Sequence, residues 1–187
     1  MQKSLSQILE KDIRGFFDAV RGIRYGYADT DGKIHPLNVG DNYADQKEKF
    51  TYAFSSPEAV VKNNCGWCWD VANLIRCYCR HNGLTYKFIF MEYKTADLHL
   101  THTQVFVLFE GKWYEAPDNS SPVAFGETGY DSAETCIASF VSAFSDYLKY
   151  ALKDRYDESA LLVKESDCNV PAGISDEEYL NLMRTCK

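Results

Sequence analysis

Asn63-Asn64-Cys65-Gly66-Trp67-Cys68-Trp69-Asp70-Val71-Ala72 is the stretch on which the reading of this chain turns. Irregular sequence gives way at Cys68 to a pattern in which Val71, Leu74, Ile75 and Tyr78 share a helical face. Asn82-Gly83 then supplies a left-handed stop, so a helix is predicted over 68–81. A cysteine at the mouth of a helix meets unpaired N–H groups and a partial positive charge. Both favour thiolate over thiol, and the same N–H groups can hold the oxyanion of a tetrahedral intermediate.

A thiol nucleophile also needs an imidazole and a group that fixes its tautomer. Downstream of the helix, residues 85–93 are rich in β-branched and aromatic side chains and predict a strand. Residues 101–109 and 112–116 predict a hairpin through Glu110-Gly111, which Pro117 ends. His102 opens the first arm and Asp118 follows the second. With Gly111 in the left-handed position of a three-residue turn, Leu108 faces Lys112 and His102 falls opposite Asp118 on one sheet face. A two-residue turn would put them on opposite faces, and the glycine favours the first register.

Cys68-Trp69-Asp70-Val71-Ala72-Asn73-Leu74-Ile75, then Arg80 and Gly83-Leu84, resembles the core motif of the transglutaminase-like, papain-related enzymes. His102, the run Gly111-Lys112-Trp113-Tyr114 and Asp118 follow in the order that family shows. The resemblance covers residues 57–120 and none of the flanks. It implies an α+β fold, with a central helix carrying the cysteine packed on an antiparallel sheet. It implies Cys68 as nucleophile, His102 as base and Asp118 as the acid that orients the imidazole. The family includes cross-linking transglutaminases, cysteine peptidases, deamidating toxins and peptide N-glycanases, and also members that have lost the triad. The expected activity is hydrolysis of an amide in a protein or peptide through an acyl-enzyme, with no cofactor. Acyl transfer to an amine, as in cross-linking, is the alternative, because only the acceptor differs. The Cys68 N–H is one oxyanion donor. Asn64, Trp67 and a tyrosine within 25–52 are candidates for the second, and Trp69 and Gln104 for substrate contact or the protein interior.

Other readings compete for the same residues. Cys65-Gly66-Trp67-Cys68 is a C-x-x-C at a helix mouth, as in thioredoxin-like redox sites, but no buried apolar strand precedes it. Cys65 could itself be the nucleophile, since peptide N-glycanases carry Cys-Gly-x-Trp. Cys68 lies 15 residues before Gly83, as the family motif requires, whereas Cys65 lies 18 before it. A zinc site from Cys65, Cys68, Cys77 and Cys79 is disfavoured, because Cys77 and Cys79 project about 200° apart on a helix. His99 is the main alternative base, and His35 and His81 have ordinary structural roles. Asp70, in the first helical turn, reads as a cap or a solvated acid. A non-catalytic domain that keeps the fold is the competing class.

The rest of the chain frames this core as one domain, 1–187. Leu5, Ile8, Leu9, Ile13, Phe16, Phe17 and Val20 predict a helix over 4–21, and 23–52 reads as irregular. Ser56-Pro57-Glu58 opens a short helix, and Ile137 to Ala151 carries an apolar helical stripe. The charged run 153–158 reads as a solvated face, and Ser175-Asp176-Glu177-Glu178 is a capping box for a last helix. The flanking segments 1–22 and 131–187 are thus read as packing helices. A net charge of −7 and scattered basic residues argue against a nucleic-acid partner or a polybasic membrane anchor. No segment approaches the length of a membrane span, and the N-terminus lacks the apolar core of a signal peptide. A reducing, cytoplasmic setting with mostly free thiols is expected.

Overall fold

The computed structural model describes residues 4–37 and 51–186. The chain is α+β with antiparallel sheets. Its N-terminal segment forms two helices where one is predicted, α1 (Leu5–Leu9) and α2 (Ile13–Arg21). The break follows from capping. Ser4 and Gln7 close a reciprocal box on α1, while the Asp12 carboxylate accepts from Gly15 N–H at 2.7 Å and starts α2 afresh.

Residues 23–52, predicted to be irregular, instead hold three strands of a small sheet, with 38–50 outside the described residues. β1 (Arg24–Asp29) pairs antiparallel with β2 (Ile34–Pro36) and β3 (Tyr52–Ala53). After α3 (Pro57–Asn63), the chain returns as β4 (Cys65–Gly66), parallel to β1. The short lengths and the glycine hid these strands from a period-two reading. Gly26 has φ +155°, and a Cβ there would lie 2.5 Å from the His35 carbonyl and 2.8 Å from the Cys65 sulfur. The missing side chain is what lets β4 and β2 close on β1.

The predicted helix follows as α4 (Cys68–His81). Gly83 is left-handed at φ +64°, and Leu84 N–H bonds the Cys79 carbonyl, the expected stop. The main sheet runs in the order β7-β6-β5-β8, all antiparallel: β5 (Tyr86–Lys94), β6 (His99–Phe109), β7 (Lys112–Glu115) and β8 (Leu161–Glu165). β8 has no counterpart in the sequence reading. Two helices complete the chain, α5 (Ala133–Leu152) and α6 (Asp176–Thr185).

Side-chain alternation gives the main sheet two different faces. Phe88, Phe90, Val105 and Val107 pack with Val71, Leu74 and Ile75 of α4 and with Tyr179 and Met183 of α6. Ile89, Met91 and Phe106 point the other way, onto Cys136, Phe140 and Phe144 of α5. The terminal helix α6 is held to the sheet by the Arg184 guanidinium on the buried Glu92 carboxylate and by a Cys168–Cys186 disulfide. The other five cysteines are free.

The hairpin register departs from the expected one. Phe109 faces Lys112 and Leu108 faces Trp113. Glu110 and Gly111 both have positive φ, 49° and 77°, as a two-residue type I′ turn requires. A non-glycine residue thus takes a left-handed position, and the pairing slips by one.

Candidate active site

The mouth of α4 is built around Asp70. This carboxylate is fully buried, not solvated, and accepts from Tyr52 O–H at 2.7 Å, Ser55 N–H at 2.8 Å and Trp67 N–H at 3.3 Å. Burial pushes its acid up to about 7, and the three hydrogen bonds hold it from rising further. Its grip on Trp67 fixes the residue that precedes Cys68.

Cys68 sits at an unfilled place on the sheet edge. Val105 accepts from Ala116 N–H through its carbonyl, so the odd-numbered residues of β6 turn their backbone groups toward β7. β7 stops at Glu115. Thr103 N–H therefore has no strand to meet, and the Cys68 thiol takes that hydrogen bond. On the opposite side, Thr103 Oγ1 lies 3.1 Å from Tyr179 Oη, and Tyr179 stacks on Trp69 at 4.1 Å. The thiol is 6% exposed. Burial pushes it up to about 12, and the charges of Asp118 and Asp70 act in the same direction; hydrogen bonds from Thr103 and Trp69 oppose them. A helix N-terminus by itself would depress the thiol; burial and the charges of two carboxylates outweigh it here.

His102 projects from β6 to the α5 side. Its ring stacks near Phe140 and Phe144, with centroids at 5.8 and 6.1 Å. Its Nε2 is 3.2 Å from Gln104 Oε1. Gln104 Nε2 donates to the Ala116 carbonyl at 2.6 Å, which fixes the amide with Oε1 toward the imidazole. An amide oxygen only accepts, so His102 Nε2 carries the proton and Nδ1 is the basic nitrogen. Gln104 is thus the group that orients His102 here. Asp118, expected in that role, spends Oδ1 on Ser120 N–H and Oγ–H, at 2.7 and 2.8 Å. Among the described residues no hydrogen bond joins Cys68, His102 and Asp118 to one another.

Asp118 links them less directly: its charge raises the Cys68 thiol, and it lines the same cavity as His102. That cavity, about 290 Å³, is walled by His102, Gln104, Glu115, Asp118, Ser120, Ser121 and Pro122, with Phe140, Phe144 and Tyr147 from α5. The loop after β7 is anchored to the cysteine loop by Asn119 Nδ2, which donates to the Gly66 carbonyl at 2.8 Å.

The remaining candidates fall outside this cavity. Trp67 and Trp69 are both 4% exposed and belong to an aromatic cluster with Tyr27, Tyr52 and Tyr179. Asn64 is the left-handed cap of α3, and its carbonyl accepts from Arg24 N–H. Among the tyrosines of 25–52, Tyr52 is committed to Asp70, and Tyr43 lies outside the described residues. His99 bonds Glu92 at 2.6 Å, and His35 bonds Asp29 at 2.7 Å. Cys65 is buried, and burial raises its thiol. Among the described residues no group of three or more His, Cys, Asp or Glu could hold a metal ion. None of their helices is long and apolar enough to cross a membrane.

Glu115 and Asn119 are the residues that sequence reasoning missed. The true register puts Glu115 opposite Phe106, and so on the His102 face; the expected register would have turned it away. Asn119 follows Asp118 directly and gave no signal beyond that. No family model matches the chain, and no curated protein matches it.

Proposed function

We propose that this chain is a thiol-dependent hydrolase of amide bonds in proteins or peptides, built on a transglutaminase-like core. Cys68 attacks the carbonyl carbon, and its thiol proton passes to the His102 imidazole. The imidazolium then protonates the leaving amine as the C–N bond breaks, leaving a thioester on Cys68. Water attacks that thioester, His102 takes its proton, and the thiol is regenerated. Thr103 N–H and the α4 N-terminus stabilise charge at sulfur and at the oxyanion. A thiol held up to about 12 makes this general-base attack and not a preformed ion pair. No cofactor enters the scheme; the five free thiols suit a reducing, cytoplasmic setting, and the Cys168–Cys186 disulfide counts against it.

The observation that carries the reading is the position of Asp118, whose charge acts on Cys68 and whose side chain shares a cavity with His102. A panel of peptide aldehydes and vinyl sulfones, with peptide mapping by mass spectrometry, tests it. An adduct on Cys68 that disappears in His102→Ala is expected. Adducts only on Cys65 or on the half-buried Cys77 would sink it. The burial of Cys68 favours a second reading, a non-catalytic binding domain, and complete absence of a Cys68 adduct would install that reading instead.

A further inference from the structure

The protein satisfies its buried acids with care, except in one place. Glu92 is paired with Arg184 and His99, Asp29 with His35, and Asp70 receives three donors. Glu115 is part-buried in the cavity wall, and no hydrogen bond or ion pair of its carboxylate occurs among the described residues. Asp118, 6% exposed, lines the same cavity, and both its hydrogen bonds fall on Oδ1, leaving Oδ2 open. Among the described residues no lysine or arginine lines the space, and three aromatic rings of α5 do. Two carboxylates drawn partly out of water with no lysine or arginine beside them repel each other, whereas an added cation is held by both charge and ring faces.

We propose that this cavity binds an organic cation on a short alkyl stem, the ammonium or guanidinium end of a substrate side chain. Glu115 and Asp118 meet the charge, and Phe140, Phe144 and Tyr147 face the stem and the cationic head. About 290 Å³ accommodates one such side chain. Burial and Asp118 push the Glu115 acid up to about 7, and a cation held between the two carboxylates would bring it down. That the bound side chain belongs to the peptide being cleaved rests on the hydrolase reading above; the binding itself does not.

The test is calorimetric titration of wild type, Cys68→Ala and Glu115→Gln with three probes. These are N-acetyl-lysine N-methylamide, its trimethyl-lysine analogue and its uncharged norleucine counterpart. Both cations are expected to bind about tenfold or more tighter than norleucine, as one charge with ring contact warrants. Cys68→Ala should keep that preference, and Glu115→Gln should lose most of it. Phe144→Leu serves as a second variant, expected to weaken the trimethyl probe more than norleucine. Equal binding of all three probes, or a preference untouched by both Glu115→Gln and Phe144→Leu, overturns the proposal. Cation preference in a protein that never acylates Cys68 would refute the hydrolase reading and leave the pocket standing. Turnover of neutral peptides without cation preference would do the reverse.

Discussion

The two faces of the main sheet solve different problems with the same strands. On the α4 side, Phe88, Phe90, Val105 and Val107 are almost wholly buried, and α6 seals the layer with Tyr179. On the α5 side, Phe140, Phe144 and Trp113 are only partly buried, and a cavity opens among carboxylates beside His102. Cys68 belongs to the packed face and meets the other only at the sheet edge, where β7 ends early. A close-packed layer holds its groups within small tolerances and shifts their chemistry by excluding water. An open layer can admit a ligand at the expense of cohesion. The proposed chemistry needs both, a fixed thiol and a reachable base, and the shared boundary is Asp118.

Stability measurements break or support that contrast most directly. Phe90→Ala, at 0% exposure on the α4 side, should cost about 3–5 kcal/mol, the usual loss for a large buried side chain. Phe140→Ala, half-buried on the α5 side, should cost about 1–2 kcal/mol, because less surface is re-exposed and the cavity can relax. Urea denaturation midpoints read both. Equal losses would mean that the two faces are equally packed, and the distinction between them would fail.

A smaller effect sharpens the packed side. Asp70→Asn keeps the shape of the helix mouth but replaces one carboxylate oxygen by an NH2 group. Three donors converge on Asp70, so at least one must then face another donor. The expected loss is about 1–3 kcal/mol, the range for a buried polar group left unsatisfied. It should be accompanied by faster alkylation of Cys68, since Trp67 loses its tether. A variant as stable as wild type would show that the Asp70 carboxylate is not what holds the helix mouth.

Much of the architecture was legible because it rests on periodicity. The α4 helix and its Asn82-Gly83 stop, the β5–β7 order and the Ser175 cap all follow local rules that the sequence writes down directly. The small sheet was not legible, because strands of two or three residues carry no period. Nor was β8, where Leu161-Leu162-Val163 sits behind a charged run and pairs with a strand some 70 residues away. The site depended on register, and register depended on Glu110 accepting a positive φ that glycine alone was expected to take. That one-residue slip turned Glu115 into the cavity and left Gln104, not Asp118, beside the imidazole. Burial decided the Cys68 thiol, and burial is a property of tertiary packing that no local motif reports.

The smallest expected effect concerns pH and sharpens the open side. Burial, with help from Asp118, raises the Glu115 acid to about 7, above the ordinary value of 4.5. A carboxyl whose folded value is raised holds a proton that the unfolded chain has already released. Folding is therefore favoured by this group at low pH, and the advantage fades as pH rises from about 4.5 through 7. Asp70, also raised to about 7, acts in the same direction. Glu92 and Asp29 are lowered by their partners, so their contribution is present above the ordinary carboxylate range and is lost as the medium becomes more acidic. Thermal stability should therefore be highest near pH 5 and decline toward pH 8. Glu115→Gln removes one titrating group from the declining limb and should flatten it, by about 1 kcal/mol or less once solvent screening in an open cavity is allowed for. Melting temperatures of both proteins at pH 5, 6, 7 and 8 measure this. Parallel curves would mean that Glu115 is solvated like a surface acid and feels neither the cavity nor Asp118. In that case the uncompensated charge on which the cation pocket depends would not exist.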